Sequence, residues 1–154
     1  MRKIDRWIAT LDQLLELVVL VNDDMERSLA SDGLTTSRAR LLWVLLHEGP
    51  STQRVLAEAL SVSARNVTGL VDGLVATGFV TREPHPTDRR ATLVSFTEHG
   101  AAIARKMQEG QHEFAELLFA GMSRDRFDGF AEGLGEVLSR LRTRLGVTTW
   151  EGRG

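Results

Sequence analysis

Residues 53–70 read Gln-Arg-Val-Leu-Ala-Glu-Ala-Leu-Ser-Val-Ser-Ala-Arg-Asn-Val-Thr-Gly-Leu, and the reading of this stretch decides the fold. Two short helical patterns meet at a tight link around Leu60-Ser61-Val62-Ser63. Ala57 stands midway along the first pattern, where a small side chain lets a second helix cross closely. Leu56, Leu60, Val62, Val67 and Leu70 are apolar at the places where two such helices must lock together. This spacing is the helix-turn-helix pattern. Ser61 holds the link position at which many such motifs carry glycine, because the chain turns there through the left-handed region.

Within the second helical pattern the two sides separate. Val67, Leu70, Val71 and Leu74 recur at spacings of three and four and face the core. Ser63, Ala64, Arg65, Asn66, Thr68 and Gly69 are left on the outer face, near the helix N-terminus. These types suit a major-groove reader, since arginine donates twice to guanine and asparagine pairs with adenine. Serine and threonine hydroxyls, with the amides of the helix start, hold phosphates. On a lone amphipathic helix such a face is merely solvated. The helix-turn before it and the hairpin behind it turn the reading towards DNA.

Beyond Gly78, a natural residue for ending the second helix, the period changes. Phe79–Glu83 and Ala91–Phe96 read as two short strands. Between them Pro84-His85-Pro86-Thr87-Asp88-Arg89-Arg90 is rich in turn formers and charge, which predicts a β-hairpin with a polar, protruding tip. Arg89 and Arg90 at that tip suit the narrow, negative minor groove. Asp88 is placed to orient one of the guanidinium groups by a charge-assisted bond. Thr52, at the start of the first helix, and Arg82, in the first strand, complete the candidate DNA-contacting set.

Upstream, the apolar spacing predicts a long helix over Ile4–Leu29 and a second over Thr36–His47. Around Leu17–Val21 the first is apolar on nearly every side, which predicts burial on more than one face, either as a central core helix or against its own domain and a second subunit, and so short a chain favours the second. Ala39, Leu42, Trp43, Leu45 and Leu46 form the expected buried stripe of the second, which Glu48-Gly49-Pro50 ends. Helices over Thr52–Leu60 and Ser63–Thr77 follow. Downstream, Thr97 is a natural cap for a helix running to Phe119, whose stripe includes Ile103, Met107, Phe114, Leu117 and Leu118. Ser123 caps a last helix over Arg124–Leu145, with a seam of Phe127, Phe130, Ala131, Leu134, Val137, Leu138, Leu141 and Leu145. Residues 148–154 are expected to fray. The whole reads as mainly α with a small β-hairpin wing. A winged helix-turn-helix over 34–100 is flanked by long helices, 1–33 and 101–154, that serve dimerisation.

Composition narrows the class. The 154 residues are 42% hydrophobic and 26% charged, as in an ordinary soluble domain. The absence of cysteine removes disulfides, thiol redox sensing and thiolate metal sites. His47, His85, His99 and His112 show no compact ligand spacing, so no metal is expected. The basic start at Arg2, Lys3 and Arg6 is followed by Asp5, Thr10, Asp12 and Gln13, with no secretory pattern. The apolar run Leu14–Val21 falls far short of the roughly 20 residues of a membrane span. A soluble, cytoplasmic protein is expected. Net charge is −2, yet residues 51–96 hold five arginines against four acids and are the one segment with a positive balance. No phosphate loop, nucleophile elbow or paired catalytic motif is present, so neither an enzyme nor a cofactor is expected. The near-neutral charge keeps one alternative open, a winged helix that serves as a protein-interaction adaptor.

Residues 34–100 resemble the MarR family of bacterial regulators. The resemblance rests on Leu56-Ala57 with Leu60, on Val67–Leu74, on Gly78-Phe79-Val80-Thr81-Arg82, on Asp88-Arg89-Arg90 and on Phe96-Thr97-Glu98-His99-Gly100. It implies a homodimer built through the N- and C-terminal helices. It also implies binding to pseudo-palindromic double-stranded DNA, usually as a repressor, often relieved by a small-molecule effector. By position, Ser63–Thr77 is the recognition helix, and Asp88 and Arg90 match the wing's aspartate-x-arginine element. An effector pocket is expected between the dimer helices and the winged domain, where Trp43 and His47, one turn apart, can line it; ordinary core packing explains the pair equally well. The chain departs from the family at Gly73, where arginine is common, and Gly69 is also unusual. A helical glycine costs roughly 1 kcal/mol against alanine, so the helix is either softer than usual or its backbone approaches DNA closely.

Overall fold

Hydroxyl groups begin the helices of the reading region. Thr35 Oγ1 accepts from the Arg38 N–H at 3.2 Å, Thr52 Oγ1 from Val55 at 3.3 Å, and Ser63 Oγ from Asn66 at 3.1 Å. Each such cap is worth about 1 kcal/mol over alanine and fixes where its helix starts. Left-handed residues set the ends. Ser61 stands at φ 54°, and the N–H groups of Ser61 and Val62 close the helix before it on the carbonyls of Glu58 and Ala57. Gly78, at φ 82°, does the same one helix later: its N–H and that of Phe79 bond to Val75 and Leu74.

The computed structural model describes residues 1–147. Along these run α1 (Lys3–Ser31), α2 (Thr36–Glu48), β1 (Ser51–Thr52), α3 (Gln53–Leu60), α4 (Ala64–Ala76), β2 (Val80–Pro84), β3 (Thr92–Phe96), α5 (Glu98–Phe119) and α6 (Arg124–Leu145). The expected fraying of residues 148–154 lies outside the described residues. The architecture is mainly α with a small antiparallel sheet, as the sequence implies. The strands lie in the order β1-β3-β2, with Ser51 opposite Val94, Val80 opposite Phe96 and Pro84 opposite Thr92.

Strand β1 corrects the sequence reading. Ser51 and Thr52 pair with β3, so Thr52 ends a strand and caps α3 instead of opening the helix proper. The two hairpin strands begin one residue later than expected, at Val80 and Thr92. In α2 the buried set is Ala39, Leu41, Leu42, Val44 and Leu45, while Trp43 and Leu46 are only half-buried. The physical reason is position. Helix α2 packs on α1, α3 and α4 at once, so more than one stripe is covered.

The chain divides into two compact units, one from Met1 to Gly100 and one that begins at Ala101. The core of the first is Leu41, Leu42 and Leu45 of α2, Leu56 of α3, Val67, Val71 and Leu74 of α4, and Val80 and Val94 of the sheet, all essentially sealed from solvent. Helix α1 contributes only Leu29 to the buried set. Along the rest of it Trp7, Leu11, Leu15, Val18, Val19 and Leu20 stand 51–58% exposed. In the second unit α6 has no buried residue; along its seam Phe127, Phe130, Val137, Leu138, Leu141 and Leu145 are exposed and Leu134 is half-buried. Phe119 at the end of α5 meets Phe127 edge-on, with ring centroids 5.3 Å apart. Among the described residues no helix is long and apolar enough to cross a membrane.

Candidate nucleic-acid interface

Helix α4 is amphipathic in the sense the spacing predicts. Val67, Val71 and Leu74 are buried and Leu70 is half-buried, whereas Ser63, Ala64, Arg65, Asn66, Thr68 and Gly69 are exposed. The first turn therefore offers a polar face on a rigid support, with Ser63 already serving as its cap. Among the described residues the side chains of Arg65, Arg89 and Arg90 enter no ion pair. Beside this face lies an open groove of about 380 Å³, lined by Ser37, Arg40, Leu60, Val62, Arg65, Asn66, Gly69 and Leu70. It brings Ser37 and Arg40 of α2, which sequence reasoning did not single out, next to Arg65 and Asn66. No sequence signal links them, because they come from separate helices.

The wing tip is organised by two side chains. Asp88 Oδ1 accepts from the Arg90 backbone N–H at 3.0 Å. This differs from the expected bond to a guanidinium: the carboxylate shapes the turn and leaves both arginine heads outward. His85 Nδ1 accepts from the backbone N–H of Thr87 at 3.2 Å and of Asp88 at 3.0 Å. A backbone amide can only donate, so Nδ1 is the unprotonated nitrogen here. The His85 backbone N–H closes the tip on the Ala91 carbonyl at 3.1 Å.

Arg82 is held by partners on two helices. It donates to Asp72 Oδ1 of α4 at 2.5 Å and to Gln53 Oε1 of α3 at 3.1 and 3.3 Å. Gln53 Nε2 donates to Thr68 Oγ1 at 3.0 Å, and Thr68 donates to the Ala64 carbonyl at 2.9 Å. Thr52, the cap of α3, is adjacent to Gln53. The wing strand, the start of α3 and the recognition face are thus tied by one chain of hydrogen bonds. Gln53 and Asp72 were absent from the sequence-derived set, because the partners of Gln53 lie 15 and 29 residues away.

Where the hairpin returns, Thr97 Oγ1 donates to the Gly78 carbonyl at 2.6 Å and accepts from the Gly100 N–H at 3.0 Å. It caps α5 as expected. The His99 ring lies 4.9 Å from Phe79, and Gly100 is buried where a side-chain carbon would collide with the Phe79 carbonyl. Gly73 faces Arg38: a side-chain carbon there would run into the Arg38 guanidinium. Gly69 has open space around it. Elsewhere, the Trp43 and His47 rings are 5.0 Å apart, with His47 Nδ1 2.8 Å from the Trp43 carbonyl. Neither lines the groove beside α4. Among the described residues no cluster of His, Asp and Glu is placed to hold a metal.

Comparison with known proteins adds lineage to this geometry. A model of the MarR family matches residues 32–91. The transcriptional repressor YetL of Bacillus subtilis is 29% identical over 132 residues, covering 83% of this chain and 78% of that protein. An uncharacterized HTH-type transcriptional regulator of Mycobacterium bovis is 32% identical over 98 residues, 64% of this chain and 68% of its own length. Streptococcus pneumoniae FabT, solved in complex with DNA, shares the fold with a TM-score of 0.81 at 20% identity, over 89% of this chain and 98% of that one. A helix-turn-helix with an exposed polar reading face, a hairpin wing with two outward arginines and these sequence relatives agree, and the chain belongs to the MarR family of winged helix-turn-helix transcriptional regulators.

Proposed function

We propose that this regulator is a cytoplasmic repressor that binds pseudo-palindromic double-stranded DNA as a homodimer. Helix α4 enters the major groove of each half-site, and the wing enters the flanking minor groove. The observation that carries this reading is the exposed row Ser63, Ala64, Arg65, Asn66, Thr68 and Gly69, backed by the sealed Val67, Val71 and Leu74. Arg65 and Asn66 read base edges. Ser63 and Thr52, at helix starts, meet phosphates. Arg90 and Arg89 reach the minor groove from a tip that Asp88 shapes, and Arg82 joins that tip's strand to α3 and α4.

The dimer rests on a second observation. Leu11, Leu15, Val18 and Leu20 of α1, and Phe130, Leu138 and Leu141 of α6, are each about two-fifths to three-fifths exposed within one subunit. Apolar side chains exposed in such numbers along a helix mark an association site. Residues 1–33 and 101–154 thus supply the dimerisation helices, and residues 34–100 the reading domain. A small-molecule effector engages Trp43 and His47, whose rings lie 5.0 Å apart and tilted at 52°, and releases the DNA.

Fluorescence anisotropy on the DNA upstream of the chain's own gene tests the reading. Specific binding is expected, to half-sites about one helical turn apart, with affinity falling steeply as salt rises. Arg65→Ala and Arg90→Ala are each expected to weaken it by about 1–3 kcal/mol. Absence of salt-sensitive specific binding, with both variants indistinguishable from wild type, would favour the adaptor reading and overturn this one.

A further inference from the structure

The hydrogen-bond chain that ends on Thr68 decides what this residue can present to a base. A threonine hydroxyl has one proton and two lone pairs. Here the proton goes to the Ala64 carbonyl, 2.9 Å away in the same helix, and one lone pair is taken by Gln53 Nε2 at 3.0 Å. The Gln53 amide is itself fixed, because its oxygen receives two bonds from Arg82 at 3.1 and 3.3 Å. Arg82 is anchored in turn by Asp72. Turning the amide over would set its NH2 group against a guanidinium that has only donors.

Two consequences follow for the reading face. The Thr68 hydroxyl has no proton left for the acceptors that dominate the major-groove edge: N7 and O6 of guanine, N7 of adenine and O4 of thymine. Gln53 is likewise unable to offer adenine its paired donor and acceptor. What Thr68 still presents, on an exposed position between the sealed Val67 and the open Gly69, is its methyl group and one lone pair, which only the amino groups of adenine and cytosine can use. The apolar feature of the major groove is the C5 methyl of thymine. We infer that Thr68 is a specificity-determining residue that recognises a thymine methyl in each half-site through its own methyl, with Gln53 and Arg82 as positioning residues that keep its hydroxyl turned inward. This rests on the proposed entry of α4 into the major groove.

The test uses the full chain and the best duplex selected from a random pool. Thymines are replaced by uracil one symmetric pair at a time, which removes only the methyl. Wild type is expected to lose about four-fold affinity per half-site at one pair of positions, the worth of one buried methyl. Thr68→Val, which keeps a methyl and drops the hydroxyl, is expected to keep the same preferred sequence and the same uracil penalty. Thr68→Ser, which does the reverse, is expected to bind with the same salt dependence but with no uracil penalty. The inference is overturned if Thr68→Ser keeps the penalty, or if Thr68→Val loses it while Thr68→Ser does not. A wild type that selects no sequence at all overturns the groove reading and this inference together. A wild type that selects a sequence, with a uracil response indifferent to Thr68, overturns the inference alone.

Discussion

Ser61, at φ 54° and ψ 45°, is the sole non-glycine with positive φ among the described residues. An L-residue in that region costs roughly 1–2 kcal/mol that glycine avoids. Ser61→Gly is therefore expected to stabilise the protein by about 1 kcal/mol, raising Tm by roughly 2–4 °C for a chain of this size. A thermal melt that is unchanged or lower would show that the serine hydroxyl contributes something the backbone argument misses. Gly100 presents the opposite case. It is buried against the Phe79 carbonyl, and no flexible side chain is there to give way. Gly100→Ala is expected to destabilise by about 1–3 kcal/mol or more, read as a lower urea midpoint. Both positions were visible in the sequence, one as a link serine and one as the end of the Phe96–Gly100 signature. In the fold the signature is a stitch: Thr97 bonds to the Gly78 carbonyl and receives the Gly100 N–H, His99 packs on Phe79, and Gly100 abuts the Phe79 carbonyl.

Among the elements, the helix-turn-helix and the wing were legible because their signals are local: three-and-four spacing, a hydroxyl before each helix, a turn-rich tip. Strand β1 was not, since two residues carry no period and its pairing partner lies in the segment from Leu93 to Val94. The burial of Leu41 and Val44 was missed for a different reason. A single apolar stripe is the expectation for a peripheral helix, and α2 is packed by three others. The wing tip shows how little of a loop is written in composition alone. Its turn residues announced a hairpin, but not that His85 would hold it from inside. His85→Ala removes the acceptor for two amides, at about 1 kcal/mol per bond. Amide exchange at Thr87 and Asp88 is expected to quicken about five-fold or more, with global stability unchanged because the tip lies outside the core. Unaltered exchange at both amides would show that the backbone alone sets the turn.

On the scale of the whole molecule, near-neutral charge and exposed apolar helices point the same way. A domain with so slight a positive balance gains little from non-specific attraction, so the proposed pairing of two half-sites matters more. Leu138 and Leu141 are 39% and 46% exposed within one subunit. Replacing both by glutamate would shift the stability of a monomer by little, since such surface changes stay near 0.5 kcal/mol. For a dimer sealed by this seam, light scattering is expected to show half the mass, and operator affinity is expected to fall at least ten-fold. An unchanged mass would dismiss the seam as the interface. The Arg82–Asp72–Gln53–Thr68 chain carries one more consequence. A head in which wing and reading helix are bolted to each other has no internal joint for a signal to bend. In the proposed dimer it moves as a block, and control over DNA is left a single coordinate, the distance from one block to its twin. The letters of a half-site and the gap between half-sites thus become separate instructions, free to change in evolution or by design one without the other.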